Sequence, residues 1–175
     1  MTSSMTGLRS IVEGTGNDFN KAKGFIQDFT KDGILSTEQA ATSLKNLLSR
    51  GFSIDESVVL MERLKDASAF GKQAALEWGD AVVGATEGLR QENSMLVDNA
   101  GITKNVAKMW EEYAKKIGVT TESLTMEQKR EAEMQGILAE SQFQVGDTAK
   151  ALDGLTGAKA RTSSATKTLM VSIGA

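Results

Sequence analysis

Three short stretches carry residue types that could do chemistry. Gly14-Thr15-Gly16 opens the spacing of a dinucleotide-binding turn, in which glycines let the backbone approach a pyrophosphate at a helix N-terminus. The pattern fails at its third glycine, where Phe19 stands, and no strand-like run precedes it, so the stretch reads as a turn. Glu111 and Glu112 are adjacent carboxylates, but neighbours on a helix point about 100° apart. They cannot flank one scissile bond as the carboxylates of a glycoside hydrolase do. Asp98 beside Asn99 offers oxygen ligands for a hard cation, yet a single carboxylate makes a poor calcium loop. A turn or helix N-cap is the expected role. Trp78, Trp110 and Tyr113 could stack on a ligand, but each falls on the apolar face of a helical pattern, which predicts core packing. No set of nucleophile, base and oxyanion donor can be assembled. No catalytic, cofactor-binding or metal residue is assigned.

Composition narrows the field further. The 175 residues include no cysteine, histidine or proline. Without cysteine there is no disulfide framework, thiolate nucleophile or zinc–thiolate site. Without histidine the commonest general base, metal ligand and pH switch are all missing. Carboxylates, lysines, hydroxyls and the single Tyr113 are what remain for chemistry. The net charge is −3, with the two signs interspersed. A protein gripping nucleic acid through its phosphates would carry a basic face, and no such site is evident. No apolar run approaches the roughly 20 residues that span a bilayer, so no transmembrane segment is expected. The start, "MTSSMTGLRS", lacks the apolar core of a signal peptide. Residues 1–17 read as a leader or frayed terminus, and the class expected is a soluble, mildly acidic protein.

Helix signals position these residues. Phe19, Ala22, Ile26 and Phe29 recur at three- and four-residue steps, with Asn17 or Asp18 as cap and Gly33 as stop. Ser36 and Gln39 form a capping box before Ala40, Leu44, Leu47 and Leu48, and Gly51 ends that helix. Ser53 and Glu56 repeat the device before Ile54, Val58, Met61 and Leu64. A fourth helix is expected over Lys72–Arg90, with Ala75, Trp78, Val82, Ala85 and Leu89 facing inward. Its Gly79, Gly84 and Gly88 each cost about 1 kcal/mol against alanine, which points to close approach by a neighbour. Ile102, Val106, Met109, Trp110, Tyr113 and Ile117 share the next face, closed by Gly118. Thr125 and Gln128 cap a last helix with Met126, Met134, Ile137, Leu138 and Val145 as its stripe. The fold expected is all-α: a compact bundle of about six short helices over residues 18–146. Residues 147–175, rich in Gly, Ala, Ser and Thr, read as a looser helical segment. Its terminal Leu169-Met170-Val171-Ile173 reads as a cut within a longer helix.

Between the fourth and fifth helices, "NSMLVDNAGITKN" (Asn93 to Asn105) shows neither helix period nor charge pattern. The longer string gives it a context. "LLSRGFSIDESVVLMERLKDASAFG" (Leu47 to Gly71), "AVVGATEGLRQENSMLVDNAGITKN" (Ala81 to Asn105) and "YAKKIGVTTESLTMEQKREAEMQGILAES" (Tyr113 to Ser141) closely resemble, in order, a segment of the tail tape measure proteins of long-tailed bacteriophages and prophages. The signature positions are Phe52, Arg63, Asp66, Phe70, Gly71, Glu87, Asn93, Asp98, Asn99, Gly101, Lys104 and Asn105. By that resemblance the odd loop links two helices, with Leu96 and Val97 buried and Asp98 or Asn99 closing the turn.

The resemblance implies a structural, non-enzymatic role in tail assembly and tail-length determination, with release during DNA ejection. It implies synthesis in the bacterial cytoplasm and residence in the tail lumen. The partners implied are further copies of the chain, tail assembly chaperones, the tail tube protein and tail-tip proteins. Short, capped helices depart from a plain rod, so an organising module competes with direct measuring. A generic helical adaptor with a groove for a partner helix is the alternative. A wall-degrading enzyme would need two carboxylates converging in a cleft. If Trp110 is core, Trp110→Ala should cost about 3–5 kcal/mol in denaturant unfolding; a loss below about 1 kcal/mol would place the ring outside.

Overall fold

The computed structural model describes residues 3–153. Local capping sets where most helices begin. Helix α1 spans Ser3–Gly14, α2 Phe19–Phe29, α3 Thr37–Arg50, α4 Ile54–Gly71 and α5 Trp78–Gln91. A one-turn α6 (Ser94–Val97) runs into a 3₁₀ turn, followed by α7 (Val106–Ile117), a second 3₁₀ turn, α8 (Met126–Glu140) and α9 (Asp147–Leu152). All three expected capping boxes form, at Ser36/Gln39, Ser53/Glu56 and Thr125/Gln128. Each satisfies two backbone N–H groups that the helix leaves unpaired. The described residues contain no strand and form the expected all-α bundle, with nine α-helices among them, seven of which (α2–α8) lie within residues 18–146.

The first added helix corrects the reading of residues 1–17 as a frayed terminus. Met5, Leu8 and Val12 are buried on one face of α1, which packs against α3 and α2. Burial of three large side chains at that spacing stabilises a helix whose own propensity signals are weak. The centre of the molecule is α3, in contact with α1, α2, α4 and α5. Its buried positions Ala40, Ala41, Ser43, Leu44, Asn46, Leu47 and Leu48 occupy more than one face. Ala40, Ala41 and Ser43 are small enough to admit flanking helices on both sides, and Asn46 Nδ2 donates to Thr86 Oγ1 of α5 at 3.2 Å.

The helix expected over Lys72–Arg90 begins instead at Trp78, while α4 runs on to Gly71. Tertiary contacts break the period. Gln73 N–H donates to Asn99 O at 3.1 Å and Lys72 Nζ to Leu76 O at 2.6 Å, which holds residues 72–77 as a loop and leaves Ala75 exposed. Trp78 then turns inward, its Nε1–H donating to Lys65 O at 2.9 Å. Ile117, Met126 and Val145, expected to face the core, are exposed. Ala114 takes the inward place on α7, and α8 stops at Glu140, so residue 145 lies beyond its stripe. The sequence beyond α9, with Leu155 and the Leu169–Ile173 cluster, lies outside the described residues.

The glycines of α5 do mark close approach. A Cβ on Gly79 would stand 2.5 Å from Gln39 Oε1, and one on Gly84 2.6 Å from Asn99 Nδ2. A Cβ on Gly88 would lie 2.7 Å from both Asn93 O and Val97 N, backbone atoms that cannot swing away. Gly24, within α2, has nothing within 4 Å. Gly24→Ala is therefore expected to stabilise the protein by about 0.5–1 kcal/mol. Gly88→Ala should destabilise it by about 1–3 kcal/mol despite the better helix former. Urea midpoints of the two variants moving the same way would contradict this packing.

Candidate functional site

The chain's most concentrated electrostatics lie inside it. Arg50, in the last turn of α3, is buried, and Glu133 of α8 is 0 % exposed. Arg50 Nε donates to Glu133 Oε1 at 3.1 Å and Nη2 to Oε2 at 2.6 Å, a bidentate pair. Arg50 Nη1 donates to Glu92 Oε1 at 2.7 Å, and Trp110 Nε1 donates to Glu133 Oε2 at 2.7 Å. Lys129 Nζ sits 4.4 Å over the Trp110 ring. Four elements thus converge on one guanidinium and one carboxylate: α3, the end of α5, α7 and α8.

Burial on its own would lower the pKa of Arg50. Its hydrogen bonds to Glu133 and Glu92, and then their charges, outweigh that and raise it above the ordinary arginine range. Stability held this way is fully present below that range and would be lost only above it, so the cation persists at every ordinary pH. Glu133 is enclosed and receives three donors. The arrangement fixes helix positions and offers no approach for a substrate.

Glu92 occupies an unusual conformation. It caps α5 with φ +56°, the left-handed region, and among the described residues no other non-glycine has positive φ. Glycine is the usual residue there because a Cβ costs about 1–2 kcal/mol. The carboxylate that a glycine would lack is the one that reaches Arg50.

The positions singled out in the sequence fall into three groups. Arg63 Nη1 donates to Leu138 O at 2.9 Å and Ser141 Oγ at 3.1 Å, while Asp66 accepts from Gly146 N–H at 3.0 Å and Thr148 N–H at 3.1 Å. One face of α4 therefore holds the α8–α9 turn. A second group surrounds the loop that lacked a period. Gly101, at φ +88°, brings its backbone against Gly71, where a Cβ would stand 2.5 Å from Gly71 O. Nearby, Asp98 Oδ2 accepts from Gln73 Nε2 at 3.3 Å, and Asn99 lies over Gly84. Asn93 and Asn105 cap α6 and α7, accepting from Met95 N–H and Ala107 N–H. Val97 is buried and Leu96 half-buried. The remaining positions are dispersed. Phe52 is core, Phe70 is 65 % exposed, and Glu87 accepts from Arg90 on its own helix. Lys104 bonds Glu112 at 2.9 Å, a contact that raises its pKa.

Open clefts offer less. One, of about 380 Å³, is lined by Tyr113, Glu56, Glu127, Glu131 and Arg130. Glu56 is committed to the Ser53 cap and Glu131 accepts from Gln135 Nε2 at 2.8 Å. Another, of about 450 Å³ beside Ser3, Ser4, Lys45 and Arg90, has no deeply buried polar group left unpaired within it. Among the described residues no three Asp or Glu side chains group as a metal site, and no helix is long and apolar enough to cross a membrane.

Arg50, Glu92 and Glu133 are not among the positions singled out in the sequence. A signal existed for one of them: Glu133 lies four residues before Ile137 and seven after Met126, on the apolar stripe itself. The chain matches no family model, no curated protein and no solved structure.

Glu92 separates backbone strain from charge pairing. Glu92→Ala should lose about 1–3 kcal/mol, because Arg50 loses a partner and the left-handed cap keeps a Cβ. Glu92→Gly should recover about 1 kcal/mol of that loss. Equal unfolding free energies for the two variants would show that the cap carries no strain.

Proposed function

We propose that this chain is a structural segment of a phage tail tape measure protein, acting in tail assembly and length determination through protein–protein contacts. It has no catalytic step. The observation that carries the reading is the ordered resemblance of three stretches, Leu47–Gly71, Ala81–Asn105 and Tyr113–Ser141, which cover most of Gly33–Gly146. The fold is compatible with it: signature residues Arg63, Asp66, Gly71 and Gly101 sit where separate elements meet. Its polar signature side chains serve as caps (Asn93, Asn105) and as ties between helices (Arg63, Asp66). Within this reading the segment is an organising module, since its helices fold back on one another instead of extending. Its partners are further copies of the parent chain, tail assembly chaperones, the tail tube protein and the tail tip. It acts in the tail lumen after synthesis in the host cytoplasm.

In-frame deletion of Phe19–Gly146 from the parent phage, followed by electron microscopy of the particles, tests this. An organising module predicts failure to assemble tails. Tails shortened by about 1.5 Å per deleted residue would keep the family reading but make the segment part of the ruler itself. Normal numbers of infectious particles with unchanged tails would sink the proposal.

A further inference from the structure

Residues 106–152 meet the rest of the molecule differently from the way its other helices meet each other. Among α1–α5 the contact is mainly apolar and continuous, through Leu8, Ile26, Leu44, Leu47, Leu64 and Leu89, with few polar ties such as Asn46 to Thr86. The α7–α8 hairpin adds Val106, Met109 and Ile137 to that cluster and α9 adds Ala151, with Trp110, Met134 and Leu152 partly buried against it. Its other buried apolar residues, Ala114, Leu124 and Ala132, lie outside the cluster. The hairpin thus has a small core of its own. Gly136 tightens it further, packing so closely that a Cβ there would meet Met109 Cγ at 2.5 Å.

Three charged side chains of the body cross the seam. Arg50 takes Glu133, Arg63 takes Leu138 O and Ser141 Oγ, and Asp66 takes the N–H groups of Gly146 and Thr148. Such contacts are strong only in one geometry, and a buried ion pair adds little net stability over apolar packing while costing much when broken. A boundary with fewer apolar contacts than the body's own, held by polar ties, is where sub-global opening is expected.

We infer that residues 106–152 are a strap, latched to the α1–α5 body by the Arg50–Glu133 pair together with Arg63 and Asp66, which undocks as a unit while the body stays folded. Opening bares Val106, Met109 and Ile137 together and leaves the α7–α8 contacts in place. The inference rests on the seam alone and holds whatever the parent protein does.

Native-state hydrogen exchange of the described chain in low urea tests it. Amides of α7 and α8 should exchange through an opening with a smaller urea dependence than those of α3 and α5. Glu133→Gln destabilises only the latched state, so it should speed exchange through the strap opening and through global unfolding alike, by roughly 100-fold or more. Ile26→Val, inside the body, should speed exchange of α3 and α5 by about 2- to 12-fold and leave α7–α9 unchanged. Convergence of α3, α5 and α8 on one opening in the wild-type protein would overturn the inference, even if the variant cannot fold. No acceleration of α7–α9 by Glu133→Gln, or acceleration of α7–α9 by Ile26→Val equal to that of α3 and α5, would overturn it as well.

Discussion

A guanidinium and a carboxylate removed from water at the same point set the terms for the second half of this fold. Neither ion tolerates burial alone. The desolvation penalty of each is several kcal/mol and is offset only when geometry and remaining hydrogen bonds are satisfied together. Arg50 therefore needs the end of α3, the cap of α5 and the middle of α8 at fixed distances, and Glu133 also needs the indole of α7. Apolar packing of α8, through Ala132, Ile137, Met134 and the close approach of Gly136 to Met109, is supplemented by this pair. Any shift of α8 by a residue would leave both charges unpaired.

Around this point, glycines let the chain pass close to itself. Gly88 admits the backbone of α6, and Gly71 and Gly101 admit each other. The stretch that looked irregular is a short helix and a 3₁₀ turn pressed into the groove these glycines open. Its polar residues complete the packing: Asn93 and Asn105 cap, and Asp98 and Asn99 engage Gln73 from side chain and backbone.

Features written into short windows were legible in the sequence. The three capping boxes, the stops at Gly51 and Gly118 and the faces of α2 and α3 need only residues a few positions apart. What failed needed distant information. The break at residues 72–77 comes from Asn99, and α1 is held by its contact with α3 while offering only Met5, Leu8 and Val12 as a pattern. A glutamate in a polar-rich helix is normally solvated, so Glu133 could be recognised only by taking its place on the stripe more seriously than its charge. Its partner lies 83 residues away, beyond any local pattern.

That separation also gives the network an order in time. A ribosome adding about 5–20 residues per second places Glu133 roughly 4–17 s behind Arg50. Glu92 follows Arg50 by only 42 residues. Glu92 is therefore synthesised, and available to Arg50, well before α8 exists. For that interval Glu92 is the only one of the arginine's two carboxylate partners that has been made.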